Sequence, residues 1–174
     1  MKTIKTKKNR LYVLPGWGEL STEKNYLELI SVAKKNYEVV PIKWDVRERK
    51  FCLGKDRSFA DVVTEAESQL LGATEKDTIL GFSLGALIAY QLAVKYKFRI
   101  AYLCSMSPLF GQDLGADDPD LTKEQIRELS KMRYEEPKTM LAMFYGTNEQ
   151  KLVQECAKRI NSKFGGALLT LLGS

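Results

Sequence analysis

The sequence predicts an α/β fold: a mainly parallel six-stranded sheet with helices on both faces, built as one domain from residues 1–174. Three observations carry that expectation. Short runs rich in Val, Ile and Leu alternate with stretches of helical periodicity, the pattern of βαβ units joined by right-handed crossovers. One strand–helix pair, Thr78 to Tyr96, is apolar almost throughout, as a central strand and the helix buried beside it must be. A length of 174 residues with 44% hydrophobic and 28% charged residues suits one globular core and argues against a disordered chain.

Leu11 to Leu14 is an unbroken apolar run stopped by Pro15-Gly16-Trp17-Gly18, a buried strand entering a tight loop. Ser21 or Thr22 can cap the next helix, where Tyr26, Leu29, Ile30 and Ala33 share one face before it stops near Asn36. Tyr37 to Trp44 reads as a strand with Pro41 inside it, near a sheet edge where a missing N–H is tolerated. Arg47 to Arg57 is a polar loop. Ser58 opens a second helix, with Phe59, Val62, Val63, Ala66 and Leu70 along one side to near Gly72. Thr78 to Phe82 is the central strand, Leu84 to Tyr96 the buried helix and Arg99 to Ser105 the next strand. Pro108 to Asp120 carries turn and loop residues. Thr122 with Gln125 then makes a capping box for a helix to about Arg133, with Ile126, Leu129 and Met132 on its apolar side. Pro137 closes that excursion. Thr139 to Tyr145 is a strand, Glu149 to Ile160 a helix burying Leu152, Val153, Cys156, Ala157 and Ile160, and Leu168 to Leu172 the last strand.

The net charge is +5, but Lys2, Lys5, Lys7, Lys8 and Arg10 form a basic lead-in over residues 1–10, and the remaining cations only balance the acids. No later element carries a Lys/Arg stripe, so no nucleic-acid partner is expected. The start has no apolar run of signal-peptide length, and the longest apolar stretch, Thr78 to Val94, is too short and too interrupted to span a membrane. A cytoplasmic protein without a membrane partner is expected. Cys52, Cys104 and Cys156 are odd in number, widely spaced and free of any C-x-x-C, which suits reduced core thiols better than disulfides or a zinc site. No ligand cluster suggests a metal and no Gly-Lys-Ser/Thr suggests a phosphate loop, so no cofactor is expected. The chain has no histidine, which excludes an imidazole base, acid or metal ligand among these residues.

Gly81-Phe82-Ser83-Leu84-Gly85 is a G-x-S-x-G pattern with a strand before it and a helix after it. Such a turn holds the serine in a strained backbone conformation and projects its Oγ from the C-terminal edge of the sheet. Small flanking residues let strand and helix approach, and the helix N-terminus brings N–H groups beside the reacting atom. A plain strand–helix turn would not require two glycines bracketing a serine.

On this motif and the two that follow, the sequence resembles the α/β-hydrolase family from Leu11 onward, starting at the strand that comes third in that family. The resemblance implies a three-layer α/β-hydrolase-like fold and a serine hydrolase of carboxylesterase or thioesterase type, with Ser83 as nucleophile and no cofactor. Pro15-Gly16-Trp17-Gly18 is similar to the family's H-G-x-G-type loop, with Pro15 where many members have histidine. It implies an oxyanion hole made of the Trp17 and Leu84 N–H groups. Phe144-Tyr145-Gly146-Thr147-Asn148-Glu149 is similar to the family's strand and acid-bearing turn, which makes Glu149 the acid, with Asp113 as second candidate. Read without the family, Glu149 is an acidic residue favourable to a helix N-terminus. The family order of serine, acid, histidine puts the histidine within about ten residues after Ser174. The alternative is a hydrolase-fold protein that binds ligands without turning them over.

Residues 108–137 would then be a short lid, and Leu109, Phe110, Leu129 and Met132 would line a pocket for a small to medium ester or thioester substrate. A rival pattern, Gly16-Trp17-Gly18-Glu19-Leu20-Ser21 with Asp45 ending the next strand, has the outline of a dinucleotide loop. Ser21 replaces its third glycine, Trp17 crowds the turn and Glu19 opposes a pyrophosphate.

Overall fold

Each apolar run becomes a strand: β1 (Arg10–Leu14), β2 (Glu38–Pro41), β3 (Thr78–Phe82), β4 (Ile100–Cys104), β5 (Leu141–Gly146) and β6 (Ala167–Leu171). Between them stand α1 (Lys24–Ala33), α2 (Phe59–Ser68), α3 (Leu84–Lys95), α4 (Lys123–Lys131) and α5 (Lys151–Phe164). The computed structural model describes residues 8–16, 24–44, 57–111 and 121–172. All pairings are parallel, and the strand order is β2-β1-β3-β4-β5-β6. The order reverses direction at β1, so the chain builds outward to β2 and then crosses back to β3.

Alternate residues of the strands feed two cores. Tyr12, Leu14, Ile79, Ala101, Leu103, Leu141 and Met143 join α2, α3, α4 and α5 in the larger one. Leu11, Val13 and Leu80 meet Tyr26 and Ile30 of α1 on the opposite face. Among the described residues, helices thus lie on both faces, four on one and α1 on the other. α3 is apolar around its circumference because β1, β3, β4 and α2 all contact it, and Leu84 to Ala89 are buried without a break. No helix among the described residues is long and apolar enough to cross a membrane.

Several boundaries differ from the sequence reading. β2 is four residues long, although Ile42 N–H still donates to the Val13 carbonyl at 2.8 Å. α5 starts two residues after Glu149 and runs on to Phe164, where Gly165 at φ +76 ends it. Leu152 stays 40% exposed, since burial on that face starts one turn later at Cys156. Arg10, placed by its charge in the basic lead-in, is the first residue of β1, and its backbone N–H and guanidinium both bond Asp77. Cys104 and Cys156 are free thiols; Cys52 lies outside the described residues.

Candidate active site

Ser83 sits between β3 and α3 at φ +51 and ψ −118, a conformation rarely held by a residue with a side chain. The two glycines around it are demanded by space. A Cβ on Gly81 would stand 2.3 Å from the Gly85 carbonyl oxygen, and one on Gly85 would stand 2.2 Å from Pro15 O and 2.5 Å from Leu14 O. β3, α3 and the end of β1 therefore meet at backbone distance, which is how the turn stays closed. Ser83 N–H donates to Cys104 O at 2.9 Å, and its carbonyl accepts from Ala86, Leu87 and Ser107 N–H groups. The strained residue is held from both sides.

Among the described residues, the Ser83 hydroxyl is hydrogen-bonded to the Ser107 hydroxyl at 3.1 Å. Leu84 opens α3, so its N–H is among the first-turn donors that have no acceptor within the helix. Its intended oxyanion partner, Trp17, lies outside the described residues, as do Asp113, Ser21 and Asp45. The preceding Gly16 is fixed: its N–H donates to the Tyr26 hydroxyl of α1 at 3.0 Å, and that ring packs edge-on against Phe82.

Glu149 stands in the turn after β5, half-buried. The Ser105 hydroxyl donates to its Oε1, and the Gln154 side-chain amide donates to its carbonyl at 2.9 Å. Ser105 is itself unusual, with φ +50 and its N–H donating to Phe144 O at 2.8 Å. Register explains how these residues converge. Phe82 pairs with Cys104 and Cys104 with Phe144, so β3 and β4 end level while β5 runs two residues further to Gly146, and Ser83, Ser105 and the Glu149 turn leave the same sheet edge. At about 4.8 Å between strands, the strands that carry serine and acid lie roughly 10 Å apart with β4 between. Sequence reasoning missed Ser105 and Ser107, whose signal was the Ser-Met-Ser-Pro run at the end of β4. Burial, helped by the Glu149 carboxylate, pushes the Cys104 thiol up to about 12, so it stays protonated at this edge.

Leu109, Phe110 and Leu129 are buried in the larger core with Met132 packed against it. Phe110 and Met132 also line a cavity of about 240 Å³ against α5, and Ser83 is not among its described lining residues. Among the described residues no group of three or more His, Cys, Asp or Glu side chains is placed to hold a metal.

No protein-family model matches the sequence, and no curated protein matches it. Solved structures do. A carboxylesterase structure from the thaumarchaeon Nitrososphaera gargenis superposes with a TM-score of 0.68 at 15% identity, over 96% of this chain and 82% of its own. The mouse alpha/beta hydrolase domain-containing protein 10 gives 0.72 at 9% identity, over 98% and 82%. The chain has the α/β-hydrolase fold. A monoacylglycerol lipase from Paleococcus ferrophilus shares that fold, with a TM-score of 0.68 at 13% identity over 96% of this chain and 86% of the lipase. In the α/β-hydrolase fold described here, the strained serine turn, the glycine contacts and the acid-bearing turn occupy one end of the sheet.

Proposed function

We propose that this protein is a serine hydrolase that cleaves a small to medium carboxylic ester or thioester. The observation that carries the reading is the Ser83 turn, where positive φ and two backbone-to-backbone glycine contacts hold a hydroxyl at the sheet's C-terminal edge. Neighbours of the same fold that are a carboxylesterase and a monoacylglycerol lipase support it. Ser83 Oγ attacks the ester carbonyl as its proton passes to a base, and the oxyanion is held by the Trp17 and Leu84 N–H groups. The alcohol or thiol leaves with that proton, and water then resolves the acyl-serine. Glu149, steadied by Ser105, orients and stabilises the protonated base.

The base is contributed from outside these 174 residues, since the sequence has no histidine and, among the described residues, the Ser83 hydroxyl is hydrogen-bonded to another hydroxyl. The gap of about 10 Å between the serine and acid strands leaves room for such a group. Residues 108–137 serve as a short lid beside the serine turn, and the free Cys104 and Cys156 thiols suit a cytoplasmic setting. The missing base favours a second reading, a ligand-binding protein on the same fold without turnover. A fluorophosphonate probe separates the two. The hydrolase reading expects slow labelling of this chain, none in Ser83→Ala, and at least tenfold faster labelling when the gene product extends to a histidine. A product that carries no histidine and labels no faster than Ser83→Ala favours binding without turnover.

A further inference from the structure

We propose that the cavity of about 240 Å³ against α5 is a binding site for a small organic anion, a carboxylate joined to a planar apolar body. It lies between the stretch after β4, the stretch after α4 and the last turns of α5, and the inference rests on this cavity and not on the hydrolase reading.

One wall is aromatic. Tyr134 and Phe164 present half-buried rings to the cavity, and the buried Phe110 backs them, with its ring centroid 5.2 Å from that of Tyr134 at 39°. Flat faces of this kind accept a planar body by offset or edge contact. The rim is cationic, with Arg133 and Lys163 reaching it from separate elements. Arg133 Nη1 donates to the Ser130 and Met132 carbonyls at 2.7 and 2.8 Å, which pins the guanidinium at the end of α4. Lys163 Nζ donates to Tyr134 O at 3.3 Å and stands 4.8 Å from the Phe164 ring centre. Neutral carbonyls orient these two cations without cancelling their charge, and both have further donors for an incoming carboxylate. Gly111 makes the arrangement possible: at φ +57, a Cβ there would stand 2.8 Å from Arg133 Nη1 and 3.1 Å from Met132 O. No Asp or Glu is among the described lining residues.

The cavity is distinct from the serine site. With a rise of about 1.5 Å per residue, Lys163 lies roughly 18 Å along α5 from Lys151, the end beside Glu149. The test is an NMR titration of the ¹⁵N-labelled chain with sodium benzoate, with benzamide as its neutral twin. Benzoate is expected to give saturable shifts centred on Phe110, Arg133 and Phe164, to bind at least about tenfold more tightly than benzamide, and to weaken with added salt. R133Q and K163E should each weaken it by about tenfold or more, with amide dispersion reporting that each variant is folded, while S83A should bind as the parent does. Equal affinity for benzoate and benzamide, parental affinity in both charge variants, loss of binding in S83A, or no saturation below about 10 mM would each overturn the proposal.

Discussion

Gly85 shows how far one missing methyl group governs the serine turn. Its Cα faces Pro15 O and Leu14 O so closely that alanine would have to push β1 away from α3. Gly85→Ala is therefore expected to cost about 3 kcal/mol in urea unfolding. Parental stability would mean that the two backbones are not in contact. Asp77 works at the other end of the sheet, where it is 3% exposed and accepts from Arg10 N–H at 2.7 Å, Thr74 N–H at 2.9 Å and Arg10 Nη2 at 3.0 Å. Burial alone would raise its carboxyl, but the Arg10 and Thr74 donors outweigh it and hold the group below the ordinary carboxylate range. A folded pKa below the unfolded value of about 3.9 gives stability that is complete above that value and lost as pH falls through the folded one. Asp77→Asn should lower stability by about 2 kcal/mol at neutral pH, and the gap to the parent should narrow on acidification. Urea midpoints along a pH series read both effects, and a gap that widens toward acid contradicts the assignment.

At the level of elements, the insertion after β4 is tied down through one helix end. Glu128 of α4 accepts from Phe59 N–H at 2.9 Å and Ala60 N–H at 3.1 Å, while Gln125 donates to Arg57 O at 2.7 Å. A carboxylate thus sits on first-turn donors of α2, where the helix dipole favours it. Glu128→Ala should cost about 1 kcal/mol and speed amide exchange in α4 more than in α3, as measured by hydrogen–deuterium exchange. Uniform exchange in the two helices would refute that coupling. The helices themselves were readable beforehand. Ser58 and Thr122 both form the capping boxes that side chains three residues later allow, as the Thr122–Gln125 pair announced. The end of α5 was not read, because Asn161, Ser162 and Lys163 break the apolar period while remaining compatible with an exposed helical face; Gly165-Gly166 carried the stop signal instead. Ser83 was legible because its constraint is local, two glycines within two residues. Ser105 and Ser107 were not, since their partners Glu149 and Ser83 are brought to them only by the β3-β4-β5 register.

Among the described residues the helices are shared unevenly between the two faces of the sheet. Four cover one face, while on the other α1 covers β1 and its neighbours, and an apolar groove of about 390 Å³ reaches across to Leu171 of β6. Phe82, Tyr102, Cys104 and Phe144 line it, directly behind the serine and acid turns. Leu169 and Leu171 are 43% and 48% exposed, and as i, i+2 residues of a strand they share a face. A patch of this kind should bind an anilinonaphthalene dye. The double variant L169K/L171K is expected to reduce dye fluorescence several-fold while changing stability by about 1 kcal/mol or less. Unchanged fluorescence would place the dye elsewhere.

The position of β6 at the end of the strand order has a consequence for handling the protein. Its inner side pairs with β5, and among the described residues nothing pairs with its outer side. That side presents a row of backbone donors and acceptors next to exposed leucines, a template onto which another chain can add a strand. Melting curves and labelling rates that agree across a dilution series would show that this edge stays unpaired in solution, and that agreement is the condition for comparing any two variants.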